Sequence, residues 1–237
     1  MRSVFVQHPS VAAHEDYLNE ITRLQYSASC SIDGKHINTF DNKTYPARLG
    51  KCWHAAMVTR PQDDDSSSSS SSPEYDDIAV LARELDGKKK EIKVVLGDKI
   101  FEIKPTGSSA SEESGSAQGY VVYNQTPLHL SHRDVTEIED EEGTPIAYAY
   151  TLPSGDVVFE APQHGVFLMY NGYGANIMAN STYRGDILGL CGTYDGEYST
   201  DFTTPRNCIV QNATDFVASY AITDQTCQGE AKEMQRR

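Results

Sequence analysis

The chain of 237 residues is predicted to form a mainly β fold, an antiparallel sandwich or barrel. Short runs rich in Ile, Val, Tyr and Phe recur about every ten residues, and Gly, Asp, Asn or Pro separates them. The segments Ser154-Gly155-Asp156 and Asn171-Gly172 are typical of hairpin turns. The predicted strands lie at residues 78–81, 92–96, 100–103, 120–123, 146–152, 157–160, 166–170 and 175–179.

Alternation along these runs indicates which side chains face the core. Successive side chains of a strand point to opposite faces of its sheet, so large apolar residues that alternate with polar ones are expected to point inward. The side chains expected to face the core are Val157, Phe159, Phe167, Met169, Ile177 and Phe216.

Four segments flank or interrupt the predicted domain, which covers residues 30–227. We expect residues 1–29 to be a linker or helical lead-in, because Val11, Ala12, Leu18, Ile21 and Leu24 recur at roughly helical spacing. A linker helix that belongs to a neighbouring region is the alternative interpretation. The loops 63–77 and 106–119 are rich in serine and acidic residues, and we expect both to be disordered. Two interpretations of these loops are equally supported: phosphorylation of their serines by acid-directed kinases, and unmodified insertions. Residues 228–237 form a tail.

The charge of the chain limits its partners. The formal net charge is -14 and the pI is about 4.8. Such a surface repels phosphate backbones and anionic lipid headgroups, so we expect no nucleic-acid partner, and it favours calcium or other cations. No run approaches the ~20 apolar residues that a membrane span needs.

The cysteines indicate an oxidising compartment. Cys30 and Cys52 lie early, whereas Cys191, Cys208 and Cys227 lie late, with none across the β-rich middle. No Cys-x-x-Cys pair supports a zinc site or a redox motif. The distribution is typical of long-range disulfides that close a domain.

Four Asn-x-Ser/Thr triplets add to the case for export, at Asn42, Asn124, Asn180 and Asn212. Together with the cysteines they predict a secreted, extracellular glycoprotein. The apolar run that follows Met1 is too short for a signal peptide, so we expect the chain to be a fragment of a longer secreted precursor.

A glycine-flanked cysteine near the carboxyl end carries the most information about family. The segment Gly189-Leu190-Cys191-Gly192-Thr193-Tyr194-Asp195-Gly196 resembles the Gly-Leu-Cys-Gly-Asn-x-Asp-Gly signature of von Willebrand factor type D domains. Upstream, Cys30 with Gly34 and His36, then Thr39-Phe40-Asp41-Asn42, Tyr45 and Cys52, is similar to a second signature of that family in the same order. The segment 215–222 resembles the family's last core strand. The resemblance spans residues 30–227 and implies a β-sandwich.

Within this family the chain resembles the insect vitellogenins, which are egg-yolk precursors. It has poly-serine and few cysteines, and it lacks the cysteine-dense module of gel-forming and clotting members. The resemblance implies a structural and interaction module of a secreted yolk lipoprotein that serves as a nutrient reservoir and transports lipid. Its implied partners are the other domains of the parent protein and a vitellogenin receptor. The alternative is an adhesive or immune-recognition type D domain of another extracellular protein.

Acidic and hydroxyl side chains cluster after the glycine-flanked cysteine. Asp195, Glu197, Ser199 and Asp201 alternate on a predicted loop, where their oxygens can converge on a hard cation such as calcium. The pattern is not that of an EF-hand. An acidic loop whose charges are satisfied by water is the alternative interpretation.

The family resemblance implies a calcium site built from two segments of the chain. The residues implicated are Asp41, Asp195 and Asp201, with Ser199 and Thr200 where other members often have Asn, and Thr193 in place of the family's Asn. The resemblance also implies the disulfides Cys30–Cys191 and Cys52–Cys227. Cys208 is then left as a buried thiol or as the partner of a segment outside the fragment.

Catalytic motifs are not found in this sequence. It contains no His-Glu-x-x-His, Gly-x-Ser-x-Gly, phosphate-binding or dinucleotide-binding motif, and we predict that the protein is not an enzyme. His129 and His132 are spaced as zinc ligands can be, but a third ligand nearby is missing, so we interpret them as surface histidines.

Overall fold

The computed structural model describes residues 28–60, 78–107, 118–223 and 227. Residues 1–27, the serine-rich segment 63–77, most of the predicted loop 106–119 and the tail 228–237 lie outside the described residues, and so do the predictions made for them. No helix among the described residues has the length and apolar character needed to cross a lipid bilayer.

Two antiparallel sheets of eight strands each make up the fold, which confirms the predicted mainly β architecture. Sheet I has the strand order β10-β11-β12-β13-β14-β1-β2-β3, and sheet II has the order β15-β4-β5-β6-β7-β8-β9, with β16 also paired to β4. The strands are β1 (Ser29–Ile32), β2 (His36–Asn38), β3 (Thr44–Pro46), β4 (Trp53–Thr59), β5 (Ile78–Glu84), β6 (Lys90–Leu96), β7 (Lys99–Pro105), β8 (Gly119–Tyr123), β9 (Thr126–Pro127), β10 (Thr136–Glu139), β11 (Pro145–Thr151), β12 (Val157–Ala161), β13 (Val166–Tyr170), β14 (Ala175–Ala179), β15 (Ile187–Leu188) and β16 (Ala221–Ile222).

Both predicted hairpin turns connect neighbouring strands of sheet I. Gly155 lies between β11 and β12 with φ of 88°, and Gly172 lies between β13 and β14 with φ of 86°. These left-handed backbone conformations are ones that glycine adopts without a steric penalty, which is why the turns form there.

The core lies between the two sheets. The ring of Phe101 on β7 packs against Phe159 on β12 with 4.9 Å between the centroids. The Tyr170 hydroxyl on β13 donates to the Lys90 carbonyl oxygen on β6 at 2.6 Å. These contacts join sheet I to sheet II and make the fold a sandwich, as the family resemblance implied.

Two of the six predicted core residues face the other way. Val157, Phe159, Ile177 and Phe216 belong to the main core cluster. On β13, however, Val166, Leu168 and Tyr170 point into the core, so Phe167 and Met169 lie on the opposite face of sheet I. The prediction was wrong for these two residues because β13 carries large apolar side chains on both faces, and alternation alone cannot choose between them.

The predicted last strand over residues 215–222 is mostly a helix, α1 (Ala213–Ser219), and only β16 at its end is extended. Asn212 caps the helix, because its side-chain oxygen accepts a hydrogen bond from the Thr214 amide at 2.8 Å. Phe216 and Tyr220, four residues apart, then lie on one side of the helix and pack with ring centroids 5.3 Å apart. The capping residue and the helical spacing favour a helix here, in place of the strand that the family resemblance implied.

Candidate functional site

Two disulfides join early parts of the described chain to late parts. Cys30 on β1 is joined to Cys191 with Cα atoms 5.5 Å apart, and Cys52 is joined to Cys227 with Cα atoms 5.3 Å apart. These are the pairs that the family resemblance implied. Cys208 is a free, exposed cysteine and not the buried thiol that was one of the two expectations for it.

The loop that holds Cys191 lies flat against strand β4. The Leu190 and Cys191 amides donate to the carbonyl oxygens of Ala55 and Ala56, both at 2.9 Å. Gly189 has φ of 141°, and a Cβ atom there would overlap the Ala56 backbone. The glycine is therefore required both by its backbone conformation and by the closeness of β4.

A second glycine of the same motif leaves room for a buried carboxylate. Gly192 has φ of 84°, and a Cβ atom at this position would collide with Oδ1 of Asp201. The Asp201 side chain is fully buried and accepts two hydrogen bonds, from the Thr193 amide at 3.2 Å and from the Thr39 hydroxyl at 2.6 Å. The motif thus shapes the space in which Asp201 sits.

Asp41 ties the early segment to the late loop. Its two carboxylate oxygens accept hydrogen bonds from the Asp195 amide at 3.1 Å and the Gly196 amide at 2.9 Å. The turn before these amides is strained, because Tyr194 has φ of 52°. Residues more than 150 positions apart in sequence therefore share one loop cluster.

Asp195 is held by its own loop. Its carboxylate accepts hydrogen bonds from the Glu197 amide at 2.8 Å and the Thr200 hydroxyl at 2.7 Å. The Thr200 hydroxyl also lies 3.2 Å from that of Thr193. Burial opposes the charge of Asp195, but the hydrogen bonds from Thr200 and Glu197 outweigh it, so the pKa of this carboxyl is lowered.

The pKa of Asp201 is shifted in the opposite direction to that of Asp195. Burial raises its pKa from the ordinary value of 3.8 to about 7; the hydrogen bond from Thr39 opposes this shift, and the neighbouring charge of Asp41 adds to it. Two carboxyl groups side by side in a closed space repel each other when both are ionised. A proton or a metal cation relieves this repulsion.

The raised pKa of Asp201 predicts that stability without metal falls as the pH rises. The folded chain keeps a proton that the unfolded chain releases between about 3.8 and about 7, so this contribution is complete below the lower value and is lost as the pH rises through the upper one. Asp201→Asn mimics the protonated form. In chelator, the melting temperature of the wild type should fall relative to that of Asp201→Asn between about pH 4 and about pH 8.

The matched control for this titration is Asp98→Asn, which changes an exposed aspartate in the turn between β6 and β7. Its melting curve should follow that of the wild type across the range. Wild-type and Asp201→Asn curves that stay parallel at every pH would contradict the raised pKa.

The structure brings together most, but not all, of the residues expected to bind calcium. Asp41 adjoins Asp201, while Thr193 and Thr200 connect to Asp195. Ser199 is exposed. Within residues 28–60, 78–107, 118–223 and 227, no group of three or more His, Cys, Asp or Glu side chains is arranged to hold a metal ion. A cation here would therefore depend mainly on the Asp41–Asp201 pair, with Asp195 and neutral oxygens of the same cluster beside it.

Sequence reasoning missed two residues of the site, because Thr39 was quoted without a role and Lys43 was not singled out. Thr39 precedes the Phe-Asp of the upstream motif, and its hydroxyl fixes Asp201 while accepting the Lys43 amide at 2.9 Å. The Lys43 ammonium donates to the Tyr198 carbonyl oxygen at 3.1 Å and lies 3.8 Å from the centroid of the Phe202 ring. The motif itself was the signal for Thr39, whereas no local pattern pointed to Lys43.

The predicted modification and zinc positions lie away from this cluster. Asn42, Asn124 and Asn212 are exposed, and Asn180 is half-buried with its side-chain oxygen accepting the Thr182 amide at 2.9 Å. Glycosylation at these positions stays a prediction.

His129 and His132 are both exposed. Among the described residues they are not part of any group of three metal-ligating side chains.

Known proteins are similar in sequence to this chain. The family model of the von Willebrand factor type D domain matches residues 30–208. The chain is 33% identical to Vitellogenin-1 of Solenopsis invicta over 91% of its own length and 12% of that protein. It is also 33% identical to Vitellogenin-A1 of Aedes aegypti over 86% of its length, and 31% identical to Vitellogenin-2 of Periplaneta americana over 83%, in each case covering 10% of the relative.

Proposed function

The chain belongs to the von Willebrand factor type D domain family, and on that premise we propose that it is a calcium-binding, disulfide-closed interaction module of a secreted yolk lipoprotein. The observation that carries the calcium part of this proposal is the pair of adjoining carboxylates, Asp41 and Asp201, at the meeting point of two distant segments. The yolk part rests on the similarity to three insect vitellogenins over most of the chain.

The donor set around Asp41 and Asp201 suits a hard cation. Calcium prefers carboxylate, hydroxyl and carbonyl oxygens. The hydroxyls of Thr193 and Thr200 lie in the same cluster as the two carboxylates. When bound, calcium would supply the positive charge that the pair lacks and would take the place of the proton on Asp201.

Such a cation would hold two distant segments of the chain together. Asp41 follows β2 near the start of the described chain, and Asp201 lies beyond the Gly-Leu-Cys-Gly loop near its end. The Cys30–Cys191 disulfide already joins the same two segments covalently. Calcium would therefore stabilise a closed module that presents fixed surfaces to neighbouring domains, which is a structural role and not a catalytic one.

The role of the parent protein follows from its relatives. The chain spans about a tenth of the length of the curated vitellogenins that it matches. We infer that the whole protein is a secreted nutrient reservoir that transports lipid, that other domains of this protein contact the module, and that a vitellogenin receptor is among its partners. Disulfides and exposed Asn-x-Thr triplets support the secretory route.

Calcium is expected to raise the melting temperature of the chain. A ligand present at 100 times its Kd adds about 2.7 kcal/mol to the free energy of unfolding, which corresponds to roughly 5–10 °C for a chain of this size. Asp201→Asn should abolish most of the rise, because it removes one of the two adjoining charges, and Asp195→Asn should reduce it. Differential scanning calorimetry in chelator and in calcium measures both effects.

Asp98→Asn again serves as the control, since it removes one carboxylate from an exposed turn far along the sequence from the loop cluster. It should keep the full calcium response. Identical wild-type melting curves in calcium and in chelator would refute the proposed site, as would an unchanged response in Asp201→Asn.

A further inference from the structure

A small cleft lies on the outer face of sheet I, the face turned away from sheet II, where β1 and β13 end. Its volume is 180 Å³. Three of the residues that line it, Met169, Asn176 and Ser31, are paired across β13, β14 and β1. Each alternates along its strand with residues of the main core, so their side chains lie on the outer face.

A glycine in the next row of residues opens the cleft. Asp156 precedes β12, Asn171 follows β13, Gly174 precedes β14 and Asp33 follows β1, so the strand order places them side by side in that sequence. Gly174 therefore leaves a gap between Asn171 and Asp33. A Cβ atom at Gly174 would lie 2.5 Å from the Ile32 carbonyl oxygen, so the closeness of β1 requires a glycine at this position.

The two carboxylates of this row lie at its opposite ends. Oδ1 of Asp33 accepts hydrogen bonds from the amides of Lys35 at 3.1 Å and His36 at 2.8 Å, and the His36 imidazole lies 4.0 Å away. Burial opposes the charge of Asp33, but the two amides outweigh it, so the pKa of this carboxyl is lowered. Oδ2 of Asp156 accepts the Ser154 hydroxyl at 3.0 Å. Each carboxylate is thus oriented through one oxygen and offers the other to a ligand.

The lining of the cleft is negative and otherwise uncharged. Of the ten described residues that line it, two are aspartates and none is a lysine, arginine or histidine. Ile32, Met169, Tyr170 and Ala175 add apolar surface. A ligand that matches this lining has an apolar stem and a positively charged end.

The size of the cleft restricts the ligand further. Sites for drug-sized molecules have volumes of roughly 300–1,000 Å³, whereas an apolar cavity of about 150 Å³ holds one benzene molecule. At 180 Å³ the cleft therefore accommodates a single side chain and not a lipid. An arginine side chain has a methylene stem that packs on apolar surface, and its planar guanidinium carries five donors that match carboxylate oxygens.

We propose that this cleft binds an arginine side chain of a partner protein. The stem packs on Met169, and the guanidinium lies between Asp33 and Asp156, with the side-chain amide of Asn176 as a neutral partner. None of the lining residues belongs to the loop cluster around Asp201, so this contact does not depend on calcium. The net charge of -14 attracts basic partners towards the surface as a whole, and the cleft selects one side chain among them.

An NMR titration of the full, ¹⁵N-labelled chain tests the proposal. The probe is an acetylated Gly-Arg-Gly amide, and the reference is the same peptide with citrulline, which has a similar shape and no charge. The arginine peptide should shift the amide signals of Gly174, Ala175 and Asn176 most strongly. It should bind about five-fold more tightly than the citrulline peptide, and added salt should reduce this difference.

Replacing both carboxylates, by Asp33→Asn together with Asp156→Asn, should remove the preference for arginine over citrulline. Asparagine keeps a side-chain oxygen that can accept the local hydrogen bonds, so the fold should persist. Asp98→Asn is the matched control, because it removes an exposed carboxylate from the turn between β6 and β7, and it should keep the preference.

Three results overturn the proposal. They are equal affinities of the wild type for the two peptides, signal shifts that lie away from the cleft, and an arginine preference that survives in the double variant. If the double variant loses the dispersed spectrum of a folded chain, Asn176→Asp decides instead. It adds a carboxylate inside the cleft and should tighten arginine binding several-fold, and an unchanged affinity would then contradict the proposal.

Discussion

Replacing Cys30 and Cys191 together by alanine is expected to lower the free energy of unfolding by about 5 kcal/mol. The disulfide links residues 161 positions apart, so it removes a large part of the conformational entropy of the unfolded chain. Both cysteines are fully buried, and alanine adds no polar group to the core. At about 2–4 °C for each kcal/mol, the melting temperature should fall by roughly 10–20 °C.

The same double substitution should weaken calcium binding. Cys191 anchors the loop that carries Thr193 and Asp195, and the Cys191 carbonyl oxygen accepts the Phe40 amide, next to Asp41, at 3.0 Å. Without the disulfide to β1, calcium binding itself has to bring the two halves of the loop cluster together. Part of the binding free energy is then used for this ordering, and the calcium affinity falls. Isothermal titration with calcium measures this loss in a variant that still folds.

Cys208→Ser is the control, because Cys208 is exposed and free among the described residues. It should leave both the melting temperature and the calcium affinity unchanged. A double alanine variant that melts within a degree or so of the wild type would show that loop closure contributes little here. A large effect of Cys208→Ser would show that this thiol has a partner of its own.

Gly189→Ala is expected to destabilise the fold by about 3 kcal/mol or more. The backbone at φ of 141° is one that residues with a Cβ rarely adopt, and the new methyl group would overlap the Ala56 carbonyl group on β4. Backbone cannot rotate away as a flexible side chain can. The loop would have to leave β4, and the hydrogen bonds from Leu190 and Cys191 would break with it. Urea denaturation followed by circular dichroism measures the change.

Gly34→Ala is the matched control for this prediction. A Cβ atom at Gly34 meets nothing within 4 Å, and its φ lies outside the left-handed region. The variant should unfold at nearly the same urea concentration as the wild type. Comparable midpoints for Gly189→Ala and Gly34→Ala would mean that the close approach to β4 is not needed for stability.

Several features of this protein could be predicted from the sequence alone because local chemistry decides them. The turns at Gly155 and Gly172 require a backbone that glycine adopts readily, so the hairpins of sheet I were foreseeable. The motif around Cys191 also pointed to the family and, through it, to the two disulfide pairs that the structure contains. The recurrence of short apolar runs between turn residues indicated a mainly β chain without any knowledge of contacts.

Other features depended on contacts between distant residues, and only the tertiary structure decided them. Phe167 and Met169 look like core residues in sequence, but the register of β13 places them on the outer face of sheet I. Phe216 reaches the core from a helix because Asn212 caps it. Asp201 has a raised pKa because folding buries it beside Asp41, 160 positions earlier in the sequence, and beneath Gly192. Burial and the proximity of distant charges are properties of the folded chain, so no local pattern in the sequence encodes them.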